Sequence, residues 1–342
     1  MRKKKHRPLN TDIAKPTRNA IWDISGAHLR WIATGGLLLA VWIAYISAIN
    51  APFVFDDSIS VFKNESIRSL WPLVGTTSNP GPLNPAEHTP TAGRPLVNLS
   101  LAVNYYLGGF VPNGYHAFNV VVHSLSAFLL WAIVGRTLRM PDLEYRFGAS
   151  SDWLAFAVAL LWALHPLQTE AVIYVTQRTE LLMAFFYLAT LYCSLRYWQS
   201  DLHSAQSHYT WLILATCACW CGMASKEVMV SAPLVVLLYD RAFVSGSLQS
   251  AIRKSWPLYI GLASGWILLY LLNASTPRDD SAGFHLEVLA THWWLTQAKV
   301  LLMYLKLVLW PWPLLIHYEI PYLESFTAAW KYVLPVAILA LG

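Results

Sequence analysis

Charge is what this chain has least of: 13% of its 342 residues are Asp, Glu, Lys or Arg, against 56% hydrophobic. With a mean hydropathy of +0.42, that balance excludes both an ordinary soluble protein and a disordered one. Cysteine is scarce too. Cys193, Cys217, Cys219 and Cys221 all fall in apolar stretches, where they read as packing residues, since a thiolate metal site asks for more ligands in a polar setting. No period of 20 to 50 residues recurs, which excludes a solenoid in this stretch. A basic surface is also missing. Residues 1–30 hold eight Lys and Arg against two acids, and the rest of the chain is nearly balanced, with sixteen bases and seventeen acids. No basic stripe interleaved with aromatics follows the tail, so nucleic acid is not an expected partner.

What the chain does have is long apolar runs and aromatics, with 17 Trp, 17 Tyr and 13 Phe, a load that suits membrane interfaces. It reads as an all-α polytopic membrane protein. Residues 31–49 form a run of nineteen without a charge, too long for a usual signal-peptide core and read as an uncleaved transmembrane helix. Further apolar segments near 115–135, 153–166, 179–195, 209–224, 228–239, 257–272, 289–310 and 327–342 give an expectation of eight or nine membrane passes. Residues 1–30 are then a basic cytoplasmic tail that also attracts anionic membrane lipid, and 31–342 a membrane domain. Arg136, Arg139 and Arg146, and later Arg241, Arg253 and Lys254, fall on the inner side as the positive-inside rule asks. The outer side receives 51–114, 166–178, Ser225 to Glu227 and 274–288. His292, Lys299 and Lys306 interrupt the segment that follows, so residues 311–326 are assigned to neither side. The chain stops at Gly342 inside an apolar run, which suggests that more protein follows. The tail and compact loops favour a bacterial inner membrane over an endoplasmic reticulum. Sequons stand at Asn64, Asn98 and Asn273.

The first outer loop is where chemistry is expected. About sixty residues join two helices that a handful would connect, and Trp71 with the stretch from Leu96 to Phe110 points to packed interfacial helices. Asp56 and Asp57 lie there in an apolar setting that strips hydration and sets like charges side by side, raising the pKa of at least one, as suits a general base. Asp57 reads equally well as a helix cap for a segment starting at Ser58. A second cluster runs from His165 to Glu180. Glu170, Tyr174 and Arg178 stand four apart and would share one helix face, with His165 at its start. Arg178 pairs with Glu170 or Glu180, or forms an anion site, the preferred reading, because a guanidinium fork matches phosphate oxygens. Lys226 and Glu227 form a third cluster, in which Lys226 is an ion-pair partner or a snorkelling anchor. His116 and His123 share a face and read as packing, with no dedicated metal cage.

These pieces occur in order: Asp56-Asp57, Arg94 with Asn104, His116 with Asn119 and His123, His165 to Glu170 with Arg178 and Glu180, Lys226-Glu227, and Tyr239-Asp240. Together they resemble the membrane half of the transmembrane and tetratricopeptide-repeat O-mannosyltransferases and their bacterial relatives. The resemblance runs from about residue 51 to the end and is loose over Tyr304 to Lys306 and Pro313 to Pro321. It implies a C-type glycosyltransferase fold that takes sugar from a polyprenyl- or dolichyl-phosphate carrier to a protein acceptor at the outer face, and an acidic pair in the first outer loop as the catalytic element, here Asp56 and Asp57. The repeats are absent from this chain, and His317 and Glu319 stand where relatives tend to be acidic.

The residues allow the same chemistry. Asp56 or Asp57 takes the proton of a Ser or Thr hydroxyl that attacks the anomeric carbon with inversion, and Arg178, with Lys226 or Arg94 behind it, stabilises the leaving lipid phosphate. His165, Glu170, Glu180, Glu227 and His116 support the site. No organic cofactor is expected, and a divalent cation stays open, because an acidic pair is a base or a ligand. A secondary transporter would show two related halves, which are not visible. A noncatalytic scaffold, anchoring a repeat domain, would tolerate replacement of Asp56 and Asp57.

Overall fold

In hydrocarbon each backbone N–H and C=O must be satisfied within its own segment, so apolar runs fold as helices. A computed structural model describes residues 21–76, 78–87, 89–200, 205–275 and 289–341. Among them there are helices and irregular segments but no strand: α1 (Ile21–Tyr45), α2 (Pro95–Gly108), α3 (Pro112–Thr137), α4 (Pro141–Phe147), α5 (Ser151–Ala163), α6 (Gln168–Ile173), α7 (Arg178–Gln199), α8 (Ala205–Met223), α9 (Ala232–Asp240), α10 (Leu248–Ser275), α11 (Ala290–Leu309) and α12 (Phe326–Leu341). The basic residues from Arg2 to Arg18, His88 and most of the expected outer loop at 274–288 lie outside the described residues.

The chain is an all-helical membrane protein, and among the described residues fewer helices are long and apolar enough to span than the eight or nine passes expected. Five described stretches are long and apolar enough to span: Trp31–Asn50, Pro112–Thr137, Val175–Gln199, Glu227–Ser245 and Leu248–Ala274. Runs of apolar residues overstate the number because they do not measure helix length or interruption. α5 has 13 residues, about 20 Å at 1.5 Å each, against about 30 Å of hydrocarbon, and α12 has 16. α8 opens on Gln206, Ser207 and His208, and α11 carries His292, Lys299 and Lys306. α10 is kinked at Ser255, ahead of Pro257, whose ring and missing N–H interrupt the helical ladder.

α7 is the central helix, packed on α3 and α8, with α5 against α3 and α10 against α8. On α5, Ala155, Ala159 and Ala163 are all fully buried at a spacing of four, one face of small side chains that lets α3 approach closely. Hydroxyls inside the helices bond back to their own turn, Ser124 to Val120 O, Thr190 to Phe186 O and Ser194 to Thr190 O, so they cost little among apolar neighbours. Cys219 is buried in the α7–α10 cluster. α11 packs mainly on α12.

The loop after α1 is folded against the body. Val61 and Ile67 from the loop, Leu101 and Ala102 from α2, Tyr115 from α3 and Val175 make one apolar cluster. Beneath it Asn64 Nδ2 donates to Asn98 Oδ1 at 2.8 Å, and Asn98 Nδ2 donates to Ser66 Oγ and Pro82 O, each at 2.9 Å. Both amides are buried and satisfied as buried polar groups must be, which closes the sequons at Asn64 and Asn98 to modification. Asn273, at the end of α10, is exposed.

Candidate active site

The two adjacent carboxylates have different surroundings. Phe55 has φ of 45°, the left-handed region that a bulky residue enters at a cost of about 1–2 kcal/mol, in the turn that leads into the pair. Asp57 is fully buried. Its Oδ1 accepts from the N–H and the hydroxyl of Thr176, each at 2.7 Å, and its Oδ2 accepts from Val54 N–H at 3.2 Å. It does not cap the Ser58–Phe62 turn, with which its side chain makes no capping bond. Asp56 is exposed, and its N–H donates to the Tyr174 hydroxyl at 3.0 Å. His116 is buried, with Nε2 3.0 Å from Ala51 O, and so fixes the chain five residues ahead of Asp56.

The segment from His165 to Arg178 is not one helix, so Glu170, Tyr174 and Arg178 do not share a face. α6 ends at Ile173, Tyr174 is extended, a 3₁₀ turn covers Val175–Gln177, and α7 starts at Arg178. Val172, Ile173, Val175 and Thr176 are β-branched and stiff at χ1, which favours a break over a continuous helix. The break turns the Tyr174 hydroxyl to Asp56 and the Thr176 N–H to Asp57. His165 accepts from Leu167 N–H at Nδ1, 3.2 Å, which makes Nε2 the protonated nitrogen that donates to Val308 O at 3.0 Å and ties the start of the segment to α11.

Arg178 does not form the expected anion site. Its side chain is fully buried. Nε donates to Asn119 Oδ1 at 2.8 Å, Nη1 to Asn104 Oδ1 at 2.6 Å and Ser100 Oγ at 3.3 Å, and Nη2 to Tyr115 O at 2.9 Å. The Phe118 ring lies beneath it, 4.4 Å from the guanidinium carbon to the ring centroid. With four donors committed and no exposure, it joins α2, α3 and α7 and does not face a ligand. Neither Glu170 nor Glu180 is its partner.

Two half-buried cations lie elsewhere at the same pole. Lys226 Nζ pairs with Glu180, and Arg94 Nη2 pairs with Glu227 Oε2 at 3.1 Å. Leu96 N–H donates to Ala224 O at 3.2 Å, holding the start of α2 beside the Ser225–Glu227 turn. Arg94 also donates to Pro90 O, while its Nε is buried without a partner. Among the described residues no three of His, Cys, Asp and Glu come together as a metal site would need.

A cavity of about 240 Å³ opens beside Tyr174, whose hydroxyl holds the Asp56 N–H, and is lined also by Val54 and Glu170 and by Tyr304, Leu315 and Tyr318 among others. The wall from α11 and the loop after it went unrecognised in the sequence, where the matching motif was loose. The Tyr318 hydroxyl donates to Pro313 O at 2.8 Å and accepts from Leu315 N–H at 3.1 Å, shaping that wall, while His317 and Glu319 on either side are exposed. Burial pushes the Tyr174 phenol up to about 12, so it stays a neutral hydrogen-bonding group. Partial burial also raises the Glu170 carboxyl above the ordinary Glu range, opposed by its bond from Gln177, reinforced by Glu180 and eased by Lys226.

A raised carboxyl stabilises the fold below its unfolded value, near 4.3, and that contribution is lost as pH rises through the folded value. Thermal unfolding of Glu170→Gln is therefore expected to match wild type near about pH 4 and to exceed it increasingly toward about pH 8. A gap that does not change with pH would show that Glu170 does not titrate against the cavity.

Comparison with curated proteins finds similarity to Protein O-mannosyl-transferase Tmtc1 of Drosophila melanogaster, 30% identical over 216 residues, covering 63% of this chain and 23% of that protein. Protein O-mannosyl-transferase tmtc2 of Xenopus laevis is 30% identical over 276 residues, covering 75% of this chain and 31% of that protein. Protein O-mannosyl-transferase TMTC4 of Homo sapiens is 30% identical over 194 residues, covering 54% and 26%. No family model matches the chain, and no solved structure matches it significantly. The chain spans less than a third of the length of these three relatives. Over that span the chain is similar to one stretch of proteins named as protein O-mannosyl-transferases.

Proposed function

We propose that this chain carries the catalytic membrane part of a glycosyltransferase that moves a sugar, mannose by the names of its relatives, from a polyprenyl- or dolichyl-phosphate carrier to a Ser or Thr hydroxyl of a protein. The observation that carries this reading is the division of labour in the acidic pair: Asp57 is buried and bonded, while Asp56 is exposed, with its N–H on the hydroxyl of Tyr174, a residue that lines a cavity. Asp56 takes the hydroxyl proton, the hydroxyl oxygen bonds to the anomeric carbon with inversion, and the bond from that carbon to the phosphate oxygen breaks, its electron pair leaving with the lipid phosphate. Lys226 and Arg94 balance the phosphate charge, each sharing it with the carboxylate that holds it now. Asp57 and Arg178 position the loop. The basic tail supports a cytoplasmic N-terminus and, with it, an Asp56 pole on the extracytoplasmic face, and the tail and compact loops favour a bacterial inner membrane over an endoplasmic reticulum.

The test is sugar transfer by the whole protein in proteoliposomes, with lipid-phosphate-linked mannose as donor and cell-envelope protein as acceptor. Transfer is expected from the lipid-linked sugar and not from a nucleotide sugar, with Lys226→Gln raising the donor KM. Equal transfer from a nucleotide sugar without carrier would overturn the donor, and no transfer from any lipid-linked sugar would overturn the enzyme reading.

A further inference from the structure

At the pole opposite Asp56 the ends of α1, α3, α5 and α7 enclose a second cavity, of about 680 Å³. Its walls are of two kinds. Toward the middle of the bundle it is apolar, with Phe128, Leu129 and Trp131 of α3. Just over one turn further along α3 comes Arg136, with Arg139 two residues past the end of that helix, facing Asp152 of α5 and Gln199 of α7.

The two guanidiniums are held differently. Arg139 is paired with Asp152. Arg136 has only neutral partners among the described residues: Nη1 donates to the amide oxygen of Gln199 at 2.8 Å, and its guanidinium carbon lies 5.4 Å from the centroid of the Tyr192 ring. Among the described residues, two cations and one carboxylate therefore line the polar end, and Arg136 brings its positive charge to the mouth of an apolar trough with neutral partners only. A phosphodiester joined to an acyl chain matches both halves. Its oxygens accept from a guanidinium fork, and its chain lies along Phe128 and Trp131, at the depth where aromatic rings sit in membranes.

The geometry points to a binding site for an anionic phospholipid here, with its phosphodiester against Arg136 and one acyl chain in the trough. Basic pockets between membrane helices recognise lipid headgroups in this way. The site lies at the other pole from Asp56 and is independent of the transfer chemistry.

Native mass spectrometry of the whole protein in detergent, supplied with phosphatidylglycerol or phosphatidylcholine, tests it. Wild type is expected to retain phosphatidylglycerol about fivefold better than phosphatidylcholine, the ratio that corresponds to about 1 kcal/mol from one basic side chain. Arg136→Gln is expected to bring the two lipids to parity, and Ala132→Leu, which fills the trough without changing charge, to weaken retention of both; thermal unfolding checks that each variant is folded. Unchanged preference in folded Arg136→Gln would overturn the site. Displacement of the lipid by millimolar inorganic phosphate would also overturn it, since it would make this a site for a free anion.

Discussion

Replacing Asp56 by Asn is expected to cut sugar transfer by about 10²- to 10⁴-fold in kcat, the range for loss of a positioned general base, while leaving the amount of folded protein unchanged. Asp56 is exposed, and an amide keeps what it now holds: its backbone N–H bonds to Tyr174, its C=O accepts from the Ile59 and Ser60 N–H groups, and its side-chain oxygen can still meet the Tyr174 hydroxyl. Asp57→Asn is expected to behave in the opposite way. An amide has one acceptor oxygen where the carboxylate has two, so its NH2 would face either the Thr176 or the Val54 N–H that Asp57 now accepts from, and a buried donor would meet a donor. Folded yield should fall, and the activity of whatever folds should fall less than in the Asp56 variant. Folded protein and transfer rate per folded molecule are the two measurements needed, and full transfer by Asp56→Asn would sink the assignment of the base.

Arg178→Met is expected to destabilise the protein by on the order of 3–5 kcal/mol, a sum of charged hydrogen bonds worth about 1.5–3 kcal/mol each less what the buried apolar chain restores. Asn119 Oδ1, Asn104 Oδ1 and Tyr115 O would all lose the donor they now have. Arg178→Lys should fall between, because an ammonium keeps the charge but lacks the planar fork that reaches α2 and α3 at once. Unfolding in detergent reads the loss. A variant as stable as wild type with a raised donor KM would return Arg178 to the role of a phosphate ligand.

The contrast between these two sites marks how far the sequence carries the reading. Long charge-free runs determine an all-helical membrane fold, because lipid leaves the backbone no alternative. Helix length was not legible in them, since α5 is apolar and yet only 13 residues long. The pair at Asp56 and Asp57 is conspicuous as two carboxylates among aromatic residues, but which one is exposed depends on Phe55 turning at positive φ and on Thr176 arriving from 119 positions away. Arg178 misled for a related reason. A lone cation among apolar residues calls for anions, and here neutral amides and a carbonyl satisfy it instead. Asn104 and Asn119 were visible in the ordered motifs, and nothing in their spacing said that they point at the same guanidinium. The four-residue spacing of Glu170, Tyr174 and Arg178 suggested a helix, whereas the β-branched residues around Tyr174 were the better signal. The wall formed by Tyr304 and Tyr318 had no legible signal beyond a loose motif.

The polar cluster around Arg178 also has a direction in time. A polypeptide is made from its N-terminus, and Ser100, Asn104, Tyr115 and Asn119, which supply every acceptor of this guanidinium, all precede it in the chain. When α7 enters the bilayer, α2 and α3 have already been synthesised, so this fully buried cation can be neutralised by dipoles on arrival and need not wait in lipid for a partner still on the ribosome. Had the acceptors come from α8 or α10, the same native cluster would require a bare guanidinium to be stored in the membrane during synthesis. Chain order thus protects the costliest step of insertion, and a permutation that moved α7 ahead of α2 would remove that protection while keeping every native contact.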